Sequence, residues 1–246
     1  MIRSKSGLVL VGVLTLVVGL VSLFPARVAV QWFAPADISI SGIHGTAWSG
    51  GASEASVAGF YLRELEWSIK PLRLITGALS YKVSATPVSG FIDSQVSVGF
   101  SGHVALTELN AALPLDLFAG VSGIRGLQGN GSFQFERLEI VDGLAVVANG
   151  IMLVSDLVVP MVGRDSLGGY KAEFFTQNNG ISASIEETDG VLDLAGSLQI
   201  KTDRSFEFIA QVVVKPETPE SVRRQLRFLP PANDRGQQEL RLEGIL

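Results

Sequence analysis

Cysteine is missing altogether from the 246 residues. That excludes thiol nucleophiles, thiolate metal sites and disulfides together, and it leaves the redox compartment open. Histidine is nearly missing: His44 and His103 are the two present, they stand far apart, and neither belongs to an H-x-x-x-H pair or lies near an acidic ligand. No metal site and no proton shuttle is expected from them. No G-x-S-x-G element occurs, so the many serines lack an activated nucleophile among them. Charge is also sparse, at 17% of residues with a net charge of −5. The 19 Lys and Arg are scattered, so the basic face that nucleic acid requires is lacking and no nucleic-acid partner is expected. No cofactor is expected either, and no charge run or low-complexity tract divides the chain after its first segment.

What is present begins with an apolar run. After Arg3 and Lys5, Gly7 to Phe24 reads GLVLVGVLTLVVGLVSLF without a charge. As a helix at ~1.5 Å per residue it would span roughly 27 Å, close to the hydrocarbon core of a bilayer. Leu8, Leu10, Leu14, Val18, Leu23 and Phe24 are the expected anchor residues. A cleaved signal peptide is the competing reading. Its apolar core is usually about 7–15 residues with a small-x-small site soon after, whereas here Pro25 and Arg27 follow and Ala34-Pro35-Ala36 lies far downstream. The expectation is therefore an uncleaved anchor with a single crossing. Arg3, Lys5 and the amino terminus outweigh Arg27, which keeps the first residues in the cytoplasm and exports the rest. The expected division is 1–6 cytoplasmic tail, 7–24 transmembrane helix, 25–37 juxtamembrane linker and 38–246 exported β-rich domain. Trp32 and Phe33 suit the membrane–water boundary, or ordinary packing at a domain edge.

Beyond Asp37 the dominant period is two. In LEWSIK, Leu65, Trp67 and Ile69 alternate with Glu66, Ser68 and Lys70; in LSYKVSA, Leu79, Tyr81 and Val83 alternate with Ser80, Lys82 and Ser84. The same rhythm recurs at Val96–Phe100, Phe133–Phe135, Ile181–Glu187, Leu192–Ile200, Phe206–Val214 and from Leu240 to the end, and it predicts half-buried strands. In FQFERLEI the apolar phase slips between Phe135 and Leu138, which predicts a bulge near Glu136-Arg137. Gly129-Asn130-Gly131, Asp142-Gly143, Asn179-Gly180 and Asp189-Gly190 are read as hairpin reversals. Short reversals leave no room for crossover helices, so the fold class is mainly β: a curved antiparallel meander with one or two short covering helices. PLRLITG after Trp67 is long enough for one helical turn. Thr218-Pro219-Glu220 reads as an N-cap, a first-turn proline and an acidic first turn. Val222, Leu226 and Leu229 then share a face that would cover the sheet, with a membrane-surface or partner helix as the second reading.

Other chemistry is weak. The series Gly123, Gly126, Gly129, Gly131 leads into a strand, whereas a phosphate loop must open a helix. Glu186-Glu187 and Asp203 read as a solvated face instead of a glycosidase pair, and Asn130-Gly131-Ser132, although a sequon, reads as a turn. The chain is not expected to be an enzyme. In GIHGTAWSGGASEASVAGF the small residues allow strands to approach closely, and Trp48 reads as a plug for the space so created.

An apolar amino-terminal span, then HGTAWSGGA, then LRELEWSIKPLRLITGALSYKV resembles the type II secretion system (general secretion pathway) protein N family. The positions that carry the resemblance are Gly45, Trp48, Ser49 and Gly50, then Trp67, Pro71, Leu74 and Gly77. A Leu-Gly-x-Tyr strand with Gly169 and Tyr170, a turn at Asp234 and Gly236, and a last strand closing on Gly244 continue it. The segment GIMLVSDL departs from the pattern, with Met152 and Leu153 where another Trp is expected. The resemblance implies a bitopic inner-membrane accessory of an apparatus that exports folded proteins through the outer membrane, with other secretion subunits as partners and no catalytic residue or cofactor. The opening is also similar to that of AsmA- and TamB-like envelope proteins, which implies the alternative of a short sheet with an apolar trough for lipid.

Overall fold

The computed structural model describes residues 3–33, 38–57, 60–70, 79–98, 103–118, 124–141, 144–178 and 180–245. Helix α1, Arg3–Ser22, contains the apolar run as far as Ser22, and α2, Ala26–Phe33, follows it. Residues 26–33, expected within a linker, are thus helical: Pro25 fits the start of a helix, and its carbonyl accepts from Val28 N and Ala29 N. The expected span to Phe24 is shortened by the same proline. Leu23 and Phe24 lie beyond the helix, and Pro25 forms an isolated bridge with Thr46. No helix among the described residues is long and apolar enough to cross a membrane; the described side chains of α1 begin at Gly7.

The rest is a 14-stranded antiparallel sheet. Its strands are β1 Ile38–Ser41, β2 His44–Gly45, β3 Ser49–Val57, β4 Phe60–Ile69, β5 Leu79–Pro87, β6 Phe91–Val98 and β7 Val104–Pro114. They continue with β8 Gln128–Val141, β9 Leu144–Val158, β10 Gly168–Gln177, β11 Gly180–Gly190, β12 Leu192–Lys201, β13 Ser205–Val214 and β14 Gln238–Ile245. From β3 to β14 each strand pairs with the next in the chain, β1 lies beside β3, and β2 pairs with β3 off this path. A 3-10 turn, Leu115–Phe118, precedes β8, and a third helix, α3 Glu220–Leu226, lies between β13 and β14. The expected meander is therefore present, with few helices.

The sheet bends. Cα atoms of β9 and β11 approach within 8 Å across β10, closer than two interstrand steps of roughly 4.8 Å allow in a flat sheet. Bulges contribute, since each adds a residue to one strand and increases local twist. The expected one is present: pairing of β8 with β9 shifts between Phe135 and Arg137. Glu64, Glu108 and Asp156 have φ near +50°, and each lies at a register shift of β4, β7 or β9.

Two sequence expectations are corrected. Gly129-Asn130-Gly131 is not a hairpin reversal but the opening of β8, where Gly129 has φ +129° and pairing with β9 slips between Gln128 and Asn130. The reversal from β7 runs through the 3-10 turn instead. Thr218 is not an N-cap: Pro219 occupies that position with no side-chain bond to the helix. Thr218 Oγ1 instead donates to Val191 O at 2.6 Å and accepts from Lys215 N at 2.9 Å, so it ties the loop to the sheet. The reversals at Gly180 and Gly190 fall where expected, between β10 and β11 and between β11 and β12. Asp142-Gly143, Asn179 and the PLRLITG turn lie outside the described residues.

Candidate functional site

Strand registers align the apolar positions of successive strands on one face, here the inner face. One row runs Leu109, Phe135, Gly150, Phe174, Ala183, Leu198, Phe208, Leu242 from β7 to β14. The next runs Ala111, Phe133, Met152, Ala172, Ile185, Gly196, Ala210, Leu240. Large and small residues are interleaved: the Phe135 and Phe174 rings lie 5.6 Å apart, flanking Gly150, whose added Cβ would collide with Gln134 O. The outer face of the same strands carries Ser182, Ser184 and Glu186 on β11 and Glu239, Arg241 and Glu243 on β14. Alternation along each strand has thus become an unbroken apolar lane across eight strands.

Helix α3 covers one end of this lane, as its apolar face leads one to expect. Val222 is 1% exposed and packs with Leu167, Leu192 and Val212, while Leu226 and Leu240 border them. Arg223 ties the helix down by donating to the carbonyls of Thr218, Lys215 and Pro216 at 2.9–3.0 Å. Beneath α3 lies a cavity of about 560 Å³ walled by Met152, Val154, Ile185, Leu194, Phe208 and Leu229, among others.

The rim of that end is polar. Lys215 Nζ donates to Glu187 Oε1 and to Gly190 O, both at 2.9 Å. The Lys215 ammonium, with Gly190 N–H, holds the Glu187 carboxyl below its ordinary range, and Glu187 raises Lys215 in return. Tyr170 is pushed up to about 12, first by burial and then by the Glu187 charge; its hydroxyl donates to Leu167 O at 3.1 Å. The Tyr170 hydroxyl and both Glu187 oxygens are thus engaged, the second oxygen accepting from Gly190 N at 2.7 Å, and the cluster ties β10, β11 and the loop before α3 together.

At the amino-terminal end, the small-residue stretch joins the sheet to α1. Thr46 N donates to Ser49 O at 2.9 Å and Ser49 N to Thr46 Oγ1 at 3.1 Å, making a tight turn between β2 and β3. Gly45, with φ +81°, faces Gly50 so closely that an added Cβ would lie 2.6 Å from Gly50 Cα. At Gly50 an added Cβ would meet His44 O at 2.5 Å and the Trp67 ring at 2.9 Å. Trp48 is corrected from plug to tie: its Nε1–H donates to Val21 O at 2.6 Å, and Ala47 N donates to Phe24 O at 2.9 Å. The indole is thus a second donor to one of the last carbonyls of α1, which also accepts from Phe24 N at 3.2 Å. Trp67 Nε1–H donates to Thr46 O at 3.2 Å and holds the same turn from β4.

Residues 36–241 match the family model described as "Type II secretion system (T2SS), protein N". The chain belongs to the type II secretion system protein N family. It is 27% identical over 242 residues to the type II secretion system protein N of Vibrio cholerae serotype O1 (strain ATCC 39315 / El Tor Inaba N16961), covering 90% of this chain and 91% of that protein. No solved structure matches.

The positions that carried the protein N resemblance fall into separate places. Gly45, Trp48, Ser49, Gly50 and Trp67 converge on the α1–sheet junction, whereas Pro71, Leu74 and Gly77 lie outside the described residues. Gly169 and Tyr170 occupy a shift in the pairing of β10 with β11, at the α3 end of the lane. Gly236, with φ +76°, completes a turn with Asp234 before β14, and Gly244 lies under the Phe206 ring. Of the expected anchor residues, Leu8, Leu10, Leu14, Val18 and Leu23 are 59–72% exposed. Phe24 instead packs on Trp32 with rings 5.9 Å apart. Residue-by-residue reading missed Asn233, whose Oδ1 accepts from Arg235 N and Gln237 N and builds that last turn; its Asx-turn habit was the available signal. It also missed Arg223 as a tie, for which the sequence carries no signal. Among the described residues no group of three His, Asp or Glu could hold a metal ion.

Proposed function

We propose that this chain is an accessory, non-catalytic component of the type II secretion apparatus in the cell envelope, anchored in the inner membrane by α1 with its sheet in the periplasm. The observation that carries the reading is the family match across residues 36–241. The anchor is supported by the side chains of α1: Leu8, Leu10, Leu14, Leu16 and Leu20 are each more than 60% exposed, around the whole helix. A helix apolar on all sides finds its favourable surroundings in hydrocarbon, not in water. Arg3 and Lys5 precede it, and Arg27 follows, with Nε donating to Ile43 O at 2.9 Å; this asymmetry favours a cytoplasmic amino terminus and an exported sheet. The body of 38–246 then works through protein contacts. The sheet ends in two strands, β1 and β14, each paired on one side, and an open strand edge accepts a strand from a neighbour.

The test uses the full chain, tagged at its carboxyl end and expressed at its natural level in a secreting cell. The protein is expected to stay in the membrane pellet through alkaline carbonate, and to bring down other secretion subunits after mild detergent extraction. Release by carbonate would contradict the anchor. A pull-down without any secretion subunit would contradict the assignment to the apparatus.

A further inference from the structure

The apolar lane does not end at the α3 cavity. On the same face, at the opposite end of the strands, lies a second cavity of about 250 Å³, walled by Leu144, Val146, Ile181 and Ile200 together with Lys201 and Arg204. Here β9 and β10 part. Their ladder stops at Gly150–Phe174, and beyond it Thr176 and Asn149 bond the neighbouring strand through their side chains. Between the two cavities the inner face of β12 shows Leu192, Leu194, Gly196, Leu198 and Ile200, a stretch of ~26 Å at ~3.3 Å per residue, and no charged side chain. Lys201 closes β12, paired with Gly180, and Arg204 lies on the turn that follows. Asp203 on the same turn is occupied, its Oδ1 accepting from Ser205 N and Oγ at 2.9 and 2.6 Å. Among the described residues, two cations and one carboxylate stand at that mouth, which leaves it positive.

We propose that this lane holds an acyl chain of an anionic phospholipid, with its head group at Lys201 and Arg204 and its chain directed toward the cavity under α3. Length agrees: one leaflet is about half of a ~30 Å hydrocarbon core, and the lane exceeds that. Chemistry selects against other occupants. A polar small molecule needs convergent polar groups, and the Tyr170 hydroxyl at the far end already donates to Leu167 O. An extended peptide needs main-chain partners, which the face of a sheet does not offer because its amides and carbonyls are paired within the ladders. A helix, roughly 10 Å across, would have to displace α3, whose Val222 is seated in the core. A lipid head group instead meets opposite charge at one mouth while its chain meets mainly apolar walls, with Tyr170, Lys171 and Gln225 the polar residues lining the cavity under α3.

The test uses the full chain in cell membranes, with a photoreactive residue at one position at a time: Phe208→p-benzoylphenylalanine on the inner face and, as control, Ile209→p-benzoylphenylalanine on the outer face. After irradiation, mass spectrometry is expected to find phospholipid adducts at least five-fold more abundant at position 208 than at 209, with anionic species enriched over their share of the membrane. In K201Q/R204Q, both substitutions being at exposed positions, the last of β12 and the turn after it, that anionic enrichment should fall several-fold. Equal lipid adducts at 208 and 209, or a protein adduct at 208, would overturn the proposal. So would an anionic enrichment unchanged in the double variant.

Discussion

Gly50 has less room around it than its size suggests, because His44 O and the Trp67 ring stand where a Cβ would go. Gly50→Ala is therefore expected to cost about 1–3 kcal/mol, the usual range for overpacking, against a change within about 0.5 kcal/mol for Ser197→Ala on the outer face; urea unfolding in detergent reads both. Trp48→Phe keeps the ring and removes the donor to Val21 O, and a loss of about 1 kcal/mol is expected in the same measurement. The Glu187–Lys215 pair makes a prediction about pH. The folded protein lowers the Glu187 pKa, with the Lys215 hydrogen bond the first cause, so its contribution is complete above the ordinary carboxylate value. It is lost as pH falls through the lowered one. Glu187→Gln should flatten the acid limb of a stability–pH profile in that window and leave the neutral region with a constant offset; an unchanged acid limb would remove the pair from the account. At this scale the sequence spoke partially. Trp48 and its glycines were legible as a close-packed unit, but their partner on α1, Val21, was not, since nothing local marks a contact between residues 27 positions apart.

For the elements, legibility followed periodicity. Strands β4, β5, β6, β8 and β11–β14 contain or coincide with alternating stretches. The slip in FQFERLEI located a bulge because a bulge shifts the apolar phase. Strand β9, LAVVANGIMLVSDLV, has apolar residues on both faces, so its period is blurred, and Met152 and Leu153 stand where the family resemblance leads one to expect a Trp. The 129–131 glycines misled for a related reason: a positive-φ glycine serves a bulge as readily as a turn. Helix α3 was legible in its apolar face but not in its start, since Thr218 offers its hydroxyl to Val191 and Lys215 from outside the helix. Its weight in the fold can be measured. Val222→Ala removes two methyl-sized groups from a site 1% exposed and should cost about 2 kcal/mol, from ~0.8 kcal/mol per buried CH₂ plus part of a cavity. Amide exchange should quicken first in residues 216–229. Uniform quickening over the whole sheet would mean that α3 is not a separately opening cover.

Across the whole molecule, the order of strands follows the order of the chain, which is why hairpin spacing was enough to recover the topology. The bend was expected in kind only, since its direction depends on Ala148 of β9 and Ile181 of β11 entering one buried cluster. The resulting sheet has an apolar inner face, two edge strands and a helix tied to its first turn, and the role proposed above rests on contacts made by those surfaces. The absence of cysteine makes the claim directly measurable, because a single introduced thiol is the sole thiol on this chain. The decisive measurement is cross-linking from Glu243→Cys, on edge strand β14, in intact secreting cells, compared with Ser184→Cys in the middle of the outer face. Contact through the sheet edge requires that position 243 link to another type II secretion subunit and that position 184 do so far less. Equal yields from the two positions, or no secretion subunit linked at 243, would contradict it.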